Sequence, residues 1–129
     1  MLFALLEKIK TDMKLLQGKG KEMVKEIDAK TLEGMLRSGG AVLIDVREPD
    51  EFRAGHIEGA VSLPLSVFAQ KFHRDDFPAE KEIVLQCQGG VRSMKACNIV
   101  RELAEHEHVV NLAGGLNAWV GAGLPVTKT

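Results

Sequence analysis

The stretch Ile83-Val84-Leu85-Gln86-Cys87-Gln88-Gly89-Gly90-Val91-Arg92-Ser93 decides the architecture. Ile83 to Gln86 is a short, nearly continuous apolar run of strand length. Gly89-Gly90 breaks it, and from Val91 to about Glu105 apolar residues recur at helical spacing. A strand that passes through a glycine turn straight into a helix is half of a β-α unit. Upstream, Ala41-Val42-Leu43-Ile44 repeats the pattern of an uninterrupted apolar run. Runs of this kind suit central parallel strands covered on both faces, because neither face can be polar.

The rest of the chain extends the alternation. Glu22 to Ile27 reads as a short edge strand, and Asp28 as the N-cap of a helix running to about Leu36 before Gly39-Gly40. Glu48-Pro49-Asp50-Glu51-Phe52 reads as a turn into a short helix with proline in its first turn. Ala60 to Leu63 is a short strand ended by Pro64, and Ser66 to Phe72 a short helix. Val109 to Leu112 is a further strand, Gly114-Gly115 a turn, and Leu116 to Val120 a final helix carrying Trp119. Strands alternating with helices predict an α/β fold with a mostly parallel central sheet.

Composition bounds what such a domain does. The 129 residues are 45% hydrophobic and 27% charged, which suits one globular domain able to bury its own core. Seventeen basic against eighteen acidic residues give a net charge of -1, so no basic excess argues for nucleic acid. The apolar run Met1 to Leu6 lacks the flanks of a signal peptide, and no stretch reaches membrane-spanning length. Two cysteines outside any C-x-x-C pair fit a reducing compartment, so the expected location is cytoplasmic. Leu2, Leu5, Leu6, Ile9, Met13 and Leu16 predict an amphipathic helix, broken by Gly18 and Gly20. Residues 1–21 therefore read as a helical extension and linker, and 22–129 as the domain proper. The extension helix most simply packs on its own domain.

Chemistry in open α/β sheets sits at the carboxyl ends of strands. Two polar segments fall there: Asp45-Val46-Arg47-Glu48 and Cys87-Gln88-Gly89-Gly90-Val91-Arg92-Ser93. In the second, the glycines let backbone approach the sulfur and permit positive φ. A loop of this kind at a helix N-terminus turns several N–H groups inward as an anion nest, and Arg92 adds a fixed positive charge. Thiols in such settings have pKa values of roughly 3.5–7.5 instead of about 8.5, so Cys87 is expected to be ionised at neutral pH.

Four residues separate Cys87 from Arg92, and at this point the chain resembles a single-domain rhodanese, a thiosulfate sulfurtransferase-like family. Cys87, Gly90 and Arg92 match the C-x-x-G-x-R loop. Asp45 and Arg47 match the family's aspartate-x-arginine at a strand end. Gly55, His56, Ile57, Gly59 and Ala60 match its G-H-I-x-G-A block. Gly114, Gly115, Ala118, Trp119 and Gly123 to Val126 match its closing block. The resemblance covers about Met23 to Val126. It implies a three-layer fold, helices on both faces of the sheet, and a sulfurtransferase reaction. Cys87 would take sulfane sulfur from a small anionic donor such as thiosulfate as a persulfide, then pass it to cyanide or a protein thiol. Backbone from Gln88, Gly89, Gly90, Val91 and Ser93 would stabilise the persulfide, and Arg92 would help bind the donor. No cofactor and no metal is implied. A persulfide carrier serving one protein partner is the alternative. Phosphatase or arsenate reductase chemistry stands third, because related enzymes of that kind use a loop one residue longer.

Other residues carry plainer expectations. Cys97 reads as a small buried hydrophobe, too far along its helix for a direct disulfide with Cys87. Asp45 and Arg47 are expected to organise the site, Asp45 by bonding the loop or a basic side chain, Arg47 by pairing with Glu51. His56 reads as a structural histidine within its turn, and His106 and His108 as a solvated helix end. Trp119 and Phe52 are expected in the core.

Overall fold

The computed structural model describes residues 24–103 and 108–128, and in it the capping residue works as its position predicts. The Asp28 carboxylate accepts from the Thr31 N–H at 2.8 Å and opens helix α1, Ala29–Ser38. The helix ends at Gly39, whose N–H donates to Leu36 O. Ala29 and Leu32 form its buried face. Ahead of it lies strand β1, Lys25–Ile27, and after it β2, Ala41–Asp45. Helix α2, Pro49–Ala54, starts on the proline anticipated at its first turn and carries a capping box between Glu48 and Glu51. Strand β3, Val61–Ser62, and helix α3, Leu65–Lys71, follow. Then come β4, Glu82–Gln86; α4, Val91–Leu103; β5, Val109–Leu112; and α5, Gly115–Gly121.

The five strands pair in the order β1-β5-β4-β2-β3, all in parallel. Strand β4 is thus central. Its side chains alternate as the pleat requires. Ile83 and Leu85 join one core with Ile44, Phe68, Phe72, Cys97 and Val100, on the α3 and α4 side. Val84 joins the other with Leu32, Leu43, Val110, Leu112 and Trp119, on the α1 and α5 side. Two cores, one on each face, are the physical reason that Ala41 to Ile44 of β2 and Ile83 to Leu85 of β4 read as unbroken apolar runs. Each fully buried Leu or Ile contributes about 1.5–3 kcal/mol to this packing.

Several details differ from expectation. A one-turn 3-10 helix, Arg74–Asp76, precedes β4. Its Arg74 guanidinium donates to the carbonyls of Phe77, Pro78, Ala79 and Lys81 and so ties up a segment with no apolar period. Phe52 is half-buried instead of belonging to the core; its ring stacks on His56 at 3.8 Å. Trp119 is buried as expected, and its indole N–H donates to Pro125 O at 2.8 Å. The expected helix Leu2 to Leu16, His106 and the tail of α4 toward Glu105 lie outside the described residues. Among the described residues, no helix is long and apolar enough to cross a membrane.

Candidate active site

Strands β2 and β4 end level with one another, Asp45 beside Gln86, and the Val46 N–H donates to Gln86 O at 2.8 Å. The two polar segments singled out in the sequence therefore meet at the carboxyl edge of the sheet. Cys87 follows β4 directly and is 1% exposed. The loop then folds back over its sulfur. Gly90 takes φ +101°, a conformation that L side chains rarely adopt, and its N–H donates to Cys87 Sγ at 3.0 Å. Ser93 Oγ lies 3.4 Å from the same sulfur.

These donors set the thiol's acidity. Burial disfavours the thiolate. The Ser93 hydroxyl and the backbone N–H groups of Ser93, Gly90 and Gly89 favour it more, and the Cys87 pKa lies below its ordinary value. Cys97 meets the opposite fate: buried along α4, its thiol is pushed up to about 12. Both cysteines are free. In a pH series with iodoacetamide, Cys87 should alkylate well below the ordinary thiol pKa of about 8.5, and Cys97 only after unfolding. Peptide mapping of the label checks this; equal labelling of both thiols would contradict the cradle described here.

The loop is anchored from three sides. From β5, buried Asn111 accepts from Ser93 Oγ at 2.5 Å and donates to Gly90 O at 3.3 Å and to Glu26 on β1 at 2.8 Å. The Ser93 hydroxyl has one proton, which serves Asn111 or the sulfur at a given moment. From α5, the N–H groups of Leu116 and Asn117 donate to Cys87 O at 2.8 Å and Gln88 O at 3.0 Å. The helix's free N-terminal donors thus hold the carbonyl side of the loop while the loop's own N–H groups face the sulfur. From β2, Arg47 Nη1 donates to Gln88 Oε1 at 3.3 Å, and Gln88 Nε2 donates to Asn117 Oδ1 at 2.6 Å.

The α5 contact leaves no room for a side chain at Gly115. Its φ is +58°, and an added Cβ would stand 2.4 Å from Cys87 O and 2.7 Å from the Gln88 carbonyl. Gly115→Ala is expected to cost about 2–3 kcal/mol and to slow Cys87 alkylation, since loop backbone must move. Gly121→Ala, where an added Cβ meets nothing within 4 Å, is the control. Urea melts of the two variants against wild type read the difference.

Arg47 and Glu51 depart from the expected pairing. Arg47 is 3% exposed and is held by Asp45, itself 0% exposed, with Nη2 to Oδ2 at 2.8 Å. The same guanidinium donates to Gly55 O at 2.7 Å, and Asp45 Oδ1 also accepts the Arg47 N–H at 3.0 Å. Arg47 therefore lies folded onto Asp45 and reaches the C-terminal end of α2 at Gly55, not the Glu51 carboxylate in its first turn. Glu51 instead takes Arg92 in a two-pronged pair, 2.7 Å and 3.0 Å. Arg92 holds the Glu51 carboxyl down to about 2. His56 is structural as expected: Nδ1 is 2.7 Å from Phe52 O, and its backbone pairs with Thr127. Exposed His108 stands just before β5.

A parallel α/β sheet that presents a cradled thiol at the carboxyl end of its central strand defines the architectural class. The comparison with known proteins narrows that class: the profile of the Rhodanese-like domain matches residues 28–122, and the chain belongs to this family. It is 33% identical over 105 residues to a protein named sulfurtransferase of Allochromatium vinosum, covering 81% of this chain and 95% of that one. An uncharacterized protein of Synechocystis is 44% identical over 105 residues, covering 80% of this chain. The chain spans just over half, 56%, of that relative's length. Among solved structures, a rhodanese-related protein from Thermoplasma volcanium superposes with a TM-score of 0.70 at 27% identity, covering 81% of this chain and 99% of that one.

Proposed function

We propose that residues 22–129 form a sulfurtransferase unit in which Cys87 carries sulfane sulfur as a persulfide. The observation that carries this reading is the cradle itself. A buried sulfur receives the Gly90 N–H at 3.0 Å, in a loop with four residues between Cys87 and Arg92. Such a nest stabilises a single sulfur anion, whether thiolate or persulfide.

In the first half-reaction the Cys87 thiolate attacks the outer sulfur of the donor. A new Sγ–S bond forms, the donor's S–S bond breaks, and the electron pair leaves with the remainder, sulfite when the donor is thiosulfate. In the second, cyanide or a thiolate attacks the outer persulfide sulfur and Cys87 leaves as thiolate. This reading assigns no external base, because the Ser93, Gly90 and Gly89 donors lower the Cys87 pKa and favour the thiolate. Arg92 would help bind the anionic donor, with Asp45 and Arg47 fixing the loop through Gln88. A reducing cytoplasm keeps both cysteines in the free state this chemistry uses.

Intact mass after incubation with thiosulfate tests the reading. Wild type and Cys97→Ala should each gain one sulfur atom and lose it on adding cyanide. Absence of any gain, with a second sulfane donor also failing, would sink the proposal.

A further inference from the structure

Both arginines at the site already hold a carboxylate. Arg47 is folded onto Asp45 and also serves Gly55 O and Gln88. Arg92 meets Glu51 with both terminal nitrogens on both carboxylate oxygens, the strongest geometry an arginine and a carboxylate form. Two guanidinium charges are therefore matched by two carboxylates before the Cys87 thiolate is counted.

Glu51 is itself fixed. It is the third residue of its helix cap, and its Oε1 also accepts the Glu48 N–H at 3.1 Å. With its carboxyl at about 2, it stays charged throughout the neutral range. Beside Arg92 the loop exposes Val91, 69% accessible, and the backbone of Gly89. The loop face thus offers an apolar side chain and peptide groups alongside a guanidinium that is already paired.

Resting on the sulfurtransferase reading, we infer that Glu51 sets donor specificity by occupying Arg92, so that the site favours a persulfide carried on a thiol over dianionic thiosulfate. A dianion approaching a thiolate needs a free cation to offset like-charge repulsion. Here it must compete with Glu51 for one. A thiol persulfide brings less charge and leaves as a simple thiolate. The Cys87 thiolate attacks the outer sulfur of R–S–SH, the Sγ–S bond forms and the donor S–S bond breaks. The proton stays on the transferred sulfur, and the electron pair leaves on R–S⁻.

Glu51→Gln is the test, because glutamine keeps an acceptor for the Glu48 N–H while removing the charge. Loading of the full chain would be followed by mass with thiosulfate and with cysteine persulfide as donors. The expected result is that kcat/KM for thiosulfate rises on the order of 5-fold or more, mainly through KM, while that for cysteine persulfide changes less than about 2-fold. Thiosulfate binding to Cys87→Ala, measured calorimetrically with and without Glu51→Gln, should tighten by a similar factor. Unchanged thiosulfate affinity, or equal losses with both donors, would overturn the inference and leave Glu51 a purely structural partner. If no form of the chain takes sulfur from either donor, the sulfurtransferase reading itself fails and the inference falls with it.

Discussion

Cys87→Ala is expected to abolish sulfur uptake and to lower sulfur transfer by on the order of 10³-fold or more, with the fold intact. The reaction has one covalent intermediate, and in the proposed mechanism one atom carries it. Cys97 cannot substitute: it is buried, its thiol is raised to about 12, and it lies on the helix flank instead of in the nest. The stability cost should be small, about 1 kcal/mol, because alanine removes one atom from a contact otherwise made by backbone. Cys87→Ser separates size from chemistry. Serine keeps the branch shape and an acceptor for the Gly90 N–H, yet its hydroxyl stays un-ionised at neutral pH, so it should be as inactive as alanine. Steady-state transfer and urea midpoints for the two variants check both halves. Residual sulfur uptake in Cys87→Ala would move the nucleophile elsewhere.

Asp45→Asn should be the most destabilising polar substitution in the domain, costing about 3–5 kcal/mol and lowering the melting temperature by roughly 10–15 °C. Asparagine preserves shape and most hydrogen bonding but leaves the guanidinium of Arg47, 4% exposed at its side chain, without its counter-charge. The pair is weak evidence of stability as it stands, since burying two ions costs nearly what their attraction returns. Breaking it is another matter. A double variant, Asp45→Leu with Arg47→Met, is accordingly expected to recover most of the loss in urea melts. It should not recover activity in full, because the Gln88 side chain loses the Arg47 contact at 3.3 Å. A double variant no more stable than Asp45→Asn would show that packing, not charge, dominates there.

Local chemistry was legible in the sequence, and long-range pairing was not. Asp28 announced α1, and the apolar runs of β2 and β4 announced a sheet covered on both faces. Cys87, Gly90 and Arg92 announced a loop, because its spacing is contained in one turn of chain. The partners of that loop come from far away. Asn111 reaches Glu26 across 85 positions, and Arg92 reaches Glu51 across 41. No local period encodes such contacts. One signal was present: Asn111 interrupts the apolar run Val109-Val110-Asn111-Leu112. An amide on a strand read as buried must find partners, so its position pointed to a polar neighbour. Glu51 was misassigned to Arg47 because the two are near in sequence. The fold instead sends Arg47 back onto Asp45, two residues away, and leaves the Glu51 carboxylate to Arg92.

The attachment of the loop to α5 and β5 also bears on when the site comes into being. Cys87 and Gln88 are held by Leu116 and Asn117, and the register of β1 against β5 joins residues 25–27 to 110–112. During synthesis from the N-terminus, the thiol leaves the ribosome before the segments that anchor its loop. Until those arrive, the carbonyls of Cys87 and Gln88 lack the donors that anchor the loop. Pairings of such long sequence separation also form late in folding. The topology therefore ties the full anchorage of the cysteine loop to the completion of the fold.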